Sequence, residues 1–228
     1  MKLYTAGSTK ANRESCIRLG VGILLVDGWR DPSSYPYFAI DNGCFSAWKR
    51  GVPWDPSTFL RILSRARDLR LKPDFAVIPD IVAGGKESIR KSMQWLTVLR
   101  SEYPSVPFYF AVQDGMDYDD VPEGVDGIFV GGTSEWKIRT MAEWVRVGRE
   151  RDLPVHVGRI GSPEKMVLAH IKGVDSIDST TWVQRNGCLE HHVSKYRDIV
   201  ANQTQLITSL EQSYKPINKM SEVGQEYI

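Results

Sequence analysis

Four acid or amide side chains stand where apolar, strand-like stretches stop. Asp41 closes Phe-Ala-Ile-Asp, Asp80 closes Val-Ile-Pro-Asp, Gln113 closes Phe-Ala-Val-Gln and Asp178 closes Asp-Ser-Ile-Asp. Two carboxylates across one mouth, Asp41 and Asp178, suit substitution at an acetal-like carbon. One attacks or stabilises a cationic sugar centre while the other moves a proton on the leaving group. Gln113 and Asp80, an amide beside an acid, can together read the donor and acceptor edge of a purine. Each of these residues alone could equally cap a loop or a helix. Their repetition at four strand ends is what points to an enzyme.

Weaker signals surround this set. Phe45, four residues after Asp41, has a flat ring that suits either base stacking or core packing. Gly131-Gly132 and Gly158-Arg-Ile-Gly161 offer close backbone approach to a ligand, and barrel loops after late strands often hold phosphate. Cys188, His191 and His192 are compact but lack a further metal ligand nearby, so they read as helix-surface residues. Neither a metal nor a redox cofactor is expected. Arg61, Arg65, Arg67, Arg70 and Lys72 form a basic helix run, by default a solvated face and alternatively a phosphate-backbone contact.

Strand-like and helix-like patterns alternate along the chain that carries these residues. Strands are expected over 2–6, 22–26, 37–41, 75–80, 108–113, 127–131, 154–159 and 174–178. Helices are expected over 10–19, 56–69, 86–100, 135–150, 163–172 and 190–210, while 114–124 reads as an acidic loop with at most a short helix. Eight strands mostly separated by helices predict a single α/β domain, a (β/α)8 TIM barrel over 1–210, followed by a polar tail over 211–228. An open doubly wound sheet is the alternative, but the first turn is Gly-Ser-Thr-Lys rather than a Gly-x-Gly-x-x-Gly loop.

The bulk composition narrows the setting. The 228 residues suffice for one barrel and leave little for a second domain. A net charge of +1 gives no global basic signature, so a nucleic-acid partner would need a local basic face. Three scattered cysteines, Cys16, Cys44 and Cys188, form no Cys-x-x-Cys pair and indicate no disulfide framework. The start lacks a long apolar segment, and no stretch approaches a membrane span. A cytoplasmic protein is expected.

In their order, these motifs resemble the tRNA-guanine transglycosylase (queuine tRNA-ribosyltransferase) family. The strongest match is Gly161-Ser-Pro-Glu, then a helix, then Gly173-Val-Asp175 and Asp178 three positions on. The family has Gly-Thr-Pro-Glu, a helix, Gly-Val-Asp and its nucleophilic Asp. Asp41-Asn-Gly-Cys-Phe45 is similar to Asp-Ser-Gly-Gly-Phe, and Val112-Gln113-Asp-Gly115 to Val-Gln-Gly-Gly. The resemblance runs in order from about residue 2 to residue 182 and implies a role for each position. Asp178 is the nucleophile and Asp41 the proton carrier. Asn42, Asp80, Gln113 and the Gly131-Gly132 backbone recognise the base, and Phe45 stacks on it.

The departures are informative too. Family members acting on tRNA carry a Cys-x-Cys-x-x-Cys plus His zinc site after the nucleophile, and Thr180 to Cys188 has nothing of the kind. His156 and Arg159 replace an aromatic and a glycine and are expected to contact sugar or phosphate. The chain looks closer to the short zinc-less DNA-guanine transglycosylases of phages and bacteria, which insert 7-deazaguanine derivatives into DNA. The partners this implies are DNA and a 7-deazaguanine base, with tRNA as the alternative nucleic acid. Further alternatives are a phosphosugar or glycoside enzyme on the same barrel and a silent subunit supporting a partner protein.

Overall fold

Successive side chains of a strand point to opposite faces, so residues two apart share one. When a sheet closes on itself, one face becomes the inside. The computed structural model, which describes residues 1–6, 10–184 and 188–213, closes in this way. Its strands are β1 (Lys2–Ala6), β2 (Gly22–Leu25), β3 (Phe38–Ile40), β4 (Ala76–Val77), β5 (Phe108–Val112), β6 (Gly127–Val130), β7 (Val155–Val157) and β8 (Ser176–Ser179). Each pairs in parallel with the next, and β1 pairs with β8 with Tyr4 opposite Asp178. The expected (β/α)8 barrel is the fold.

The helices are α1 (Lys10–Arg18), α2 (Cys44–Arg50), α3 (Ser57–Asp68), α4 (Glu87–Glu102), α5 (Ser134–Glu150), α6 (Pro163–Ile171) and α7 (Cys188–Ser213). They pack apolar stripes against the outer face of the sheet; α3 buries Phe59, Ile62, Leu63 and Ala66 at helical spacing. Thr133 and Ser162 cap α5 and α6 by accepting from Trp136 N and Lys165 N. Among the described residues no helix is long and apolar enough to cross a membrane.

The lower interior of the barrel is filled by aromatic rings. Tyr4, Tyr109, Phe129 and His156 point inward from four strands, joined by Phe75 from the residue just before β4. Phe75 stacks on Tyr109 at 4.3 Å between centroids, and Phe129 stacks on His156 at 4.9 Å. Tyr4 sits edge-on to Phe75 and donates its hydroxyl to Asp74. Burial and that carboxylate push the Tyr4 hydroxyl pKa far upward, so it remains a donor. Room for the rings comes from missing side chains: a Cβ on Gly127 would lie 2.4 Å from the Tyr109 ring.

Three features differ from the expected elements. β4 is a two-residue ladder, because Pro79 has no N–H to donate after Ile78 has donated to Tyr109 O (3.0 Å). Asp80 therefore stands beyond the strand rather than ending it. β8 starts at Ser176 and runs through Ser179, so Asp178 lies inside the strand. A short helix, α2, follows β3 where none was expected. The turn into it passes through Gly43 at φ +76°, a left-handed conformation suited to glycine. Residues 7–9 and 214–228 lie outside the described residues, the latter with most of the expected polar tail, and α7 continues to Ser213.

Gly127→Ala forces a methyl into the Tyr109 ring and is expected to cost about 1–3 kcal/mol. The urea midpoint should fall at unchanged slope. Tyr109→Leu in the same chain should recover part of the loss if ring contact is its cause.

Candidate active site

The inward face changes character as each strand climbs. In β3 the sequence of inward positions runs from Ala39 to Asp41; in β5 it runs through Tyr109 and Ala111 to Gln113. In β7 it runs from His156 to Gly158, and in β8 from Ser176 to Asp178. Apolar and aromatic groups thus give way to polar ones at the C-terminal ends of the strands. There they open into a cavity of about 660 Å³. Asp41, Asn42, Phe45, Asp80, Gln113, Gly131, Gly132, Arg159 and Asp178 all line it. Residues separated by more than a hundred positions are brought to one mouth.

Asp178 is almost fully buried, and its orientation is fixed from below. His156 Nε2 lies 3.1 Å from Asp178 Oδ1, and the Arg159 backbone N–H donates to the same oxygen at 3.1 Å. A carboxylate only accepts, so Nε2 carries the proton. In the neutral ring Nδ1 then accepts from the Ser176 hydroxyl at 2.8 Å. Both described hydrogen bonds to the carboxylate fall on Oδ1, which leaves Oδ2 open to a ligand. Gly158 makes this approach possible, since a Cβ there would come 2.8 Å from Phe129 and 3.4 Å from Asp178 Oδ1.

His156 departs from its expected role. It is fully buried beneath Asp178 and stacked on Phe129, so it does not reach the cavity wall to touch sugar or phosphate. Its ring acts through the carboxylate above it.

Asp41 and Asp80 sit on the opposite side of the mouth. Asp41 Oδ1 accepts from Gly43 N (2.7 Å), a turn that holds the carboxyl at the end of β3. Burial, reinforced by the negative charges of Asp178 and Asp80, raises the Asp41 pKa to about 7 despite that hydrogen bond. Asp80 is also raised, chiefly by burial, with the Asn42 amide opposing.

Asn42 was expected to contact the base. Its amide donates to Ile78 O (2.9 Å) and Asp80 Oδ1 (3.0 Å), and its oxygen accepts from Cys44 N (2.8 Å). Both amide hydrogens are thus used within the protein. Asn42 is a strut that aims Asp80. Gln113 is freer: Nε2 donates once, to Ile81 O at 2.9 Å, which leaves a second N–H and the amide oxygen for a ligand.

Arg159 crosses the cavity. Its guanidinium donates to Gly132 O (2.7 Å) and lies 3.9 Å from the centroid of the Phe45 ring. Its backbone is left-handed at φ +59°, the geometry that suits a glycine. Lys137 braces this turn from below. It is fully buried on α5 and donates Nζ to Gly158 O. Burial, with Arg159 nearby, lowers its pKa to about 8. Across the mouth Asp114 accepts from Thr133 N and Thr133 Oγ1, both at 2.8 Å. This clamp leaves no space at Gly132, where φ is +74° and a Cβ would meet Asp114 Oδ2 at 2.3 Å.

The chain matches no protein-family model and no curated protein. The chemistry of the site therefore rests on its own residues. Ser176, Lys137, Asp114 and Trp48 join the expected set. Ser176 was legible as two residues before Asp178 on one strand face. Lys137 reads as an ordinary helix lysine and gives no signal of burial. None of the basic run Arg61, Arg65, Arg67, Arg70 and Lys72 lines the cavity; Arg65 lies over Trp29 and Arg67 over Tyr103. Among the described residues no group of three or more His, Cys, Asp or Glu is placed to hold a metal. His192 instead directs Nδ1 at Gly161 O (2.9 Å), fastening α7 to the loop after β7.

Because the Asp41 pKa is raised on folding, the native state binds that proton more tightly than the unfolded chain does. The associated stability is full below pH about 4 and is lost as pH rises toward about 7. Asp41→Asn removes this loss. Its urea-unfolding free energy should gain on wild type by on the order of 1–3 kcal/mol between pH 4 and pH 7, with no further gain above.

Proposed function

We propose that the protein is a base-exchange transglycosylase that replaces guanine in DNA with a 7-deazaguanine derivative. The observation that carries this reading is the convergence of Asp178 and Asp41 with Asp80 and Gln113 on one cavity beside Phe45. A nucleophile, a proton carrier near neutrality and a purine-reading pair are the parts such an exchange needs; the Phe45 face is covered by the Arg159 guanidinium and would take a base only in its place. The resemblance of the ordered motifs to guanine transglycosylases points the same way.

In the first half-reaction the target nucleotide leaves its stack and enters the mouth. Asp178 Oδ2 attacks C1′ as the bond from C1′ to N9 breaks. Asp41 gives its proton to the departing guanine, and a covalent ester joins Asp178 to the sugar. In the second half the incoming 7-deazaguanine gives its N9 proton to Asp41. N9 then attacks C1′, and the Asp178 carboxylate is regenerated. No electron is gained or lost. An Asp41 pKa of about 7 lets one residue serve both directions at neutral pH.

The binding roles divide by reach. Asp80 and Gln113 address the base edge, the Gly131-Gly132 backbone borders it, and Arg159 offers a cation to sugar, phosphate or base substituent. Asn42 and His156 act as positioning residues for Asp80 and Asp178. The setting of this reading is cytoplasmic modification of phage or bacterial DNA.

Trapping tests the reading. Wild type and Asp178→Asn are incubated with guanine-containing DNA or with tRNA, each with and without a 7-deazaguanine base. A denaturation-resistant adduct with DNA and release of guanine, both lost in Asp178→Asn, are the expected results. An adduct with tRNA alone would keep the chemistry and move the substrate. Turnover of a free phosphosugar or glycoside without nucleic acid would overturn the reading.

A further inference from the structure

Trp48 is the largest exposed apolar side chain beside the cavity. It is 56% accessible while also forming part of the cavity wall. A tryptophan left this open is costly to hydrate, and the helix that carries it offers no reason of packing, since α2 buries Cys44 and Ala47 on its other side. Three observations say what would cover it.

The first is a ladder of flat groups. The Arg159 guanidinium lies over Phe45, and Phe45 lies 5.7 Å from Trp48 between centroids at an interplanar angle of 31°. The ladder leads from inside the cavity to its outer edge, with Trp48 as the solvent-facing rung. The second is charge. Lys49 and Arg50 follow directly, both exposed, and neither forms an ion pair among the described residues. Lys49 also lines the cavity. The third is continuity. Trp48 and Phe45 stand on one seven-residue helix that begins just after Asp41, so the ridge is fixed relative to the reacting groups.

We infer that the ridge Trp48-Lys49-Arg50 is a docking surface for single-stranded nucleic acid, on which a base adjacent to the exchanged nucleotide stacks. This rests on the transglycosylase reading and adds the strand's path to it. An aromatic with two neighbouring cations is the element that grips an unpaired strand irrespective of its sequence: the ring takes a base face and the cations take phosphates. An apolar protein partner would favour the same tryptophan but would leave Lys49 and Arg50 without counter-charges. The ridge also supplies the local basic contact that a chain of net charge +1 needs to hold nucleic acid.

The test measures fluorescence anisotropy of a labelled guanine-containing single-stranded DNA oligonucleotide over a range of salt, with guanine release assayed on the same samples. An RNA oligonucleotide of the same sequence runs in parallel. Trp48→Ala should weaken binding about tenfold or more, and Trp48→Phe, which keeps a stacking face, should restore most of it. Lys49→Ala with Arg50→Ala should reduce the slope of log affinity against log salt by about 1.4, two phosphate contacts on a single strand. The double charge variant does not depend on the Trp48 variant folding, and the phenylalanine variant controls for loss of packing. Wild-type affinity in Trp48→Ala, with an unchanged salt slope in the charge variant, would overturn the docking surface while guanine release left the transglycosylase reading in place. Absence of both binding and release on DNA and RNA would overturn the two together.

Discussion

Three carboxylates, Asp41, Asp80 and Asp178, line one cavity, and the loss of water around them is the constraint around which the site is arranged. Each negative charge in such a place needs a local donor or a proton. Asp178 receives two hydrogen bonds on one oxygen, from His156 and the Arg159 backbone. Asp80 receives the Asn42 amide. Among the described residues Asp41 accepts from the Gly43 N–H, and burial pushes its pKa to about 7. Burial is the leading cause of the upward shift at both Asp41 and Asp80, and the hydrogen bonds oppose it.

The barrel separates a packed aromatic layer from a polar one. Below, stacked rings fill the interior and exclude water; above, the same strand faces present acids and amides. His156 lies at the boundary. It belongs to the aromatic layer by stacking on Phe129 and to the polar layer by its bond to Asp178. Ser176 beneath it completes a short chain of hydrogen bonds inside the barrel. Rigid packing is thereby transmitted to the Asp178 carboxylate, which is how a site built on strands holds its geometry more closely than one built on loops.

Much of this was legible in the sequence because strand periodicity is two and barrel mouths lie at strand ends. Their position at strand ends alone directs Asp41, Gln113 and Asp178 to one mouth. What the pattern could not supply was the direction of individual donors. Asn42 looks like a base-reading amide, yet its hydrogen-bonding capacity is used by Ile78, Asp80 and Cys44. His156 looks like a ligand contact, yet parity places it one step too deep. The helix α2 was missed because its seven residues are too few for a periodic signal, and with it the exposure of Trp48. Lys137 was hidden for another reason: nothing local distinguishes a lysine that will be buried by the far side of a loop.

The left-handed backbone at Arg159 sets folding and chemistry against each other at a single residue. A side chain there costs on the order of 1 kcal/mol that glycine would not incur. Glycine, however, would remove the guanidinium that spans from the Gly132 carbonyl to the Phe45 ring. The backbone N–H that holds Asp178 is common to both residues, so the exchange would leave the support of that carboxylate in place while discharging the mouth. Position 159 is therefore a point at which the same scaffold can be tuned between a sturdier neutral pocket and a more strained cationic one, without altering Asp41, Asp80 or Asp178.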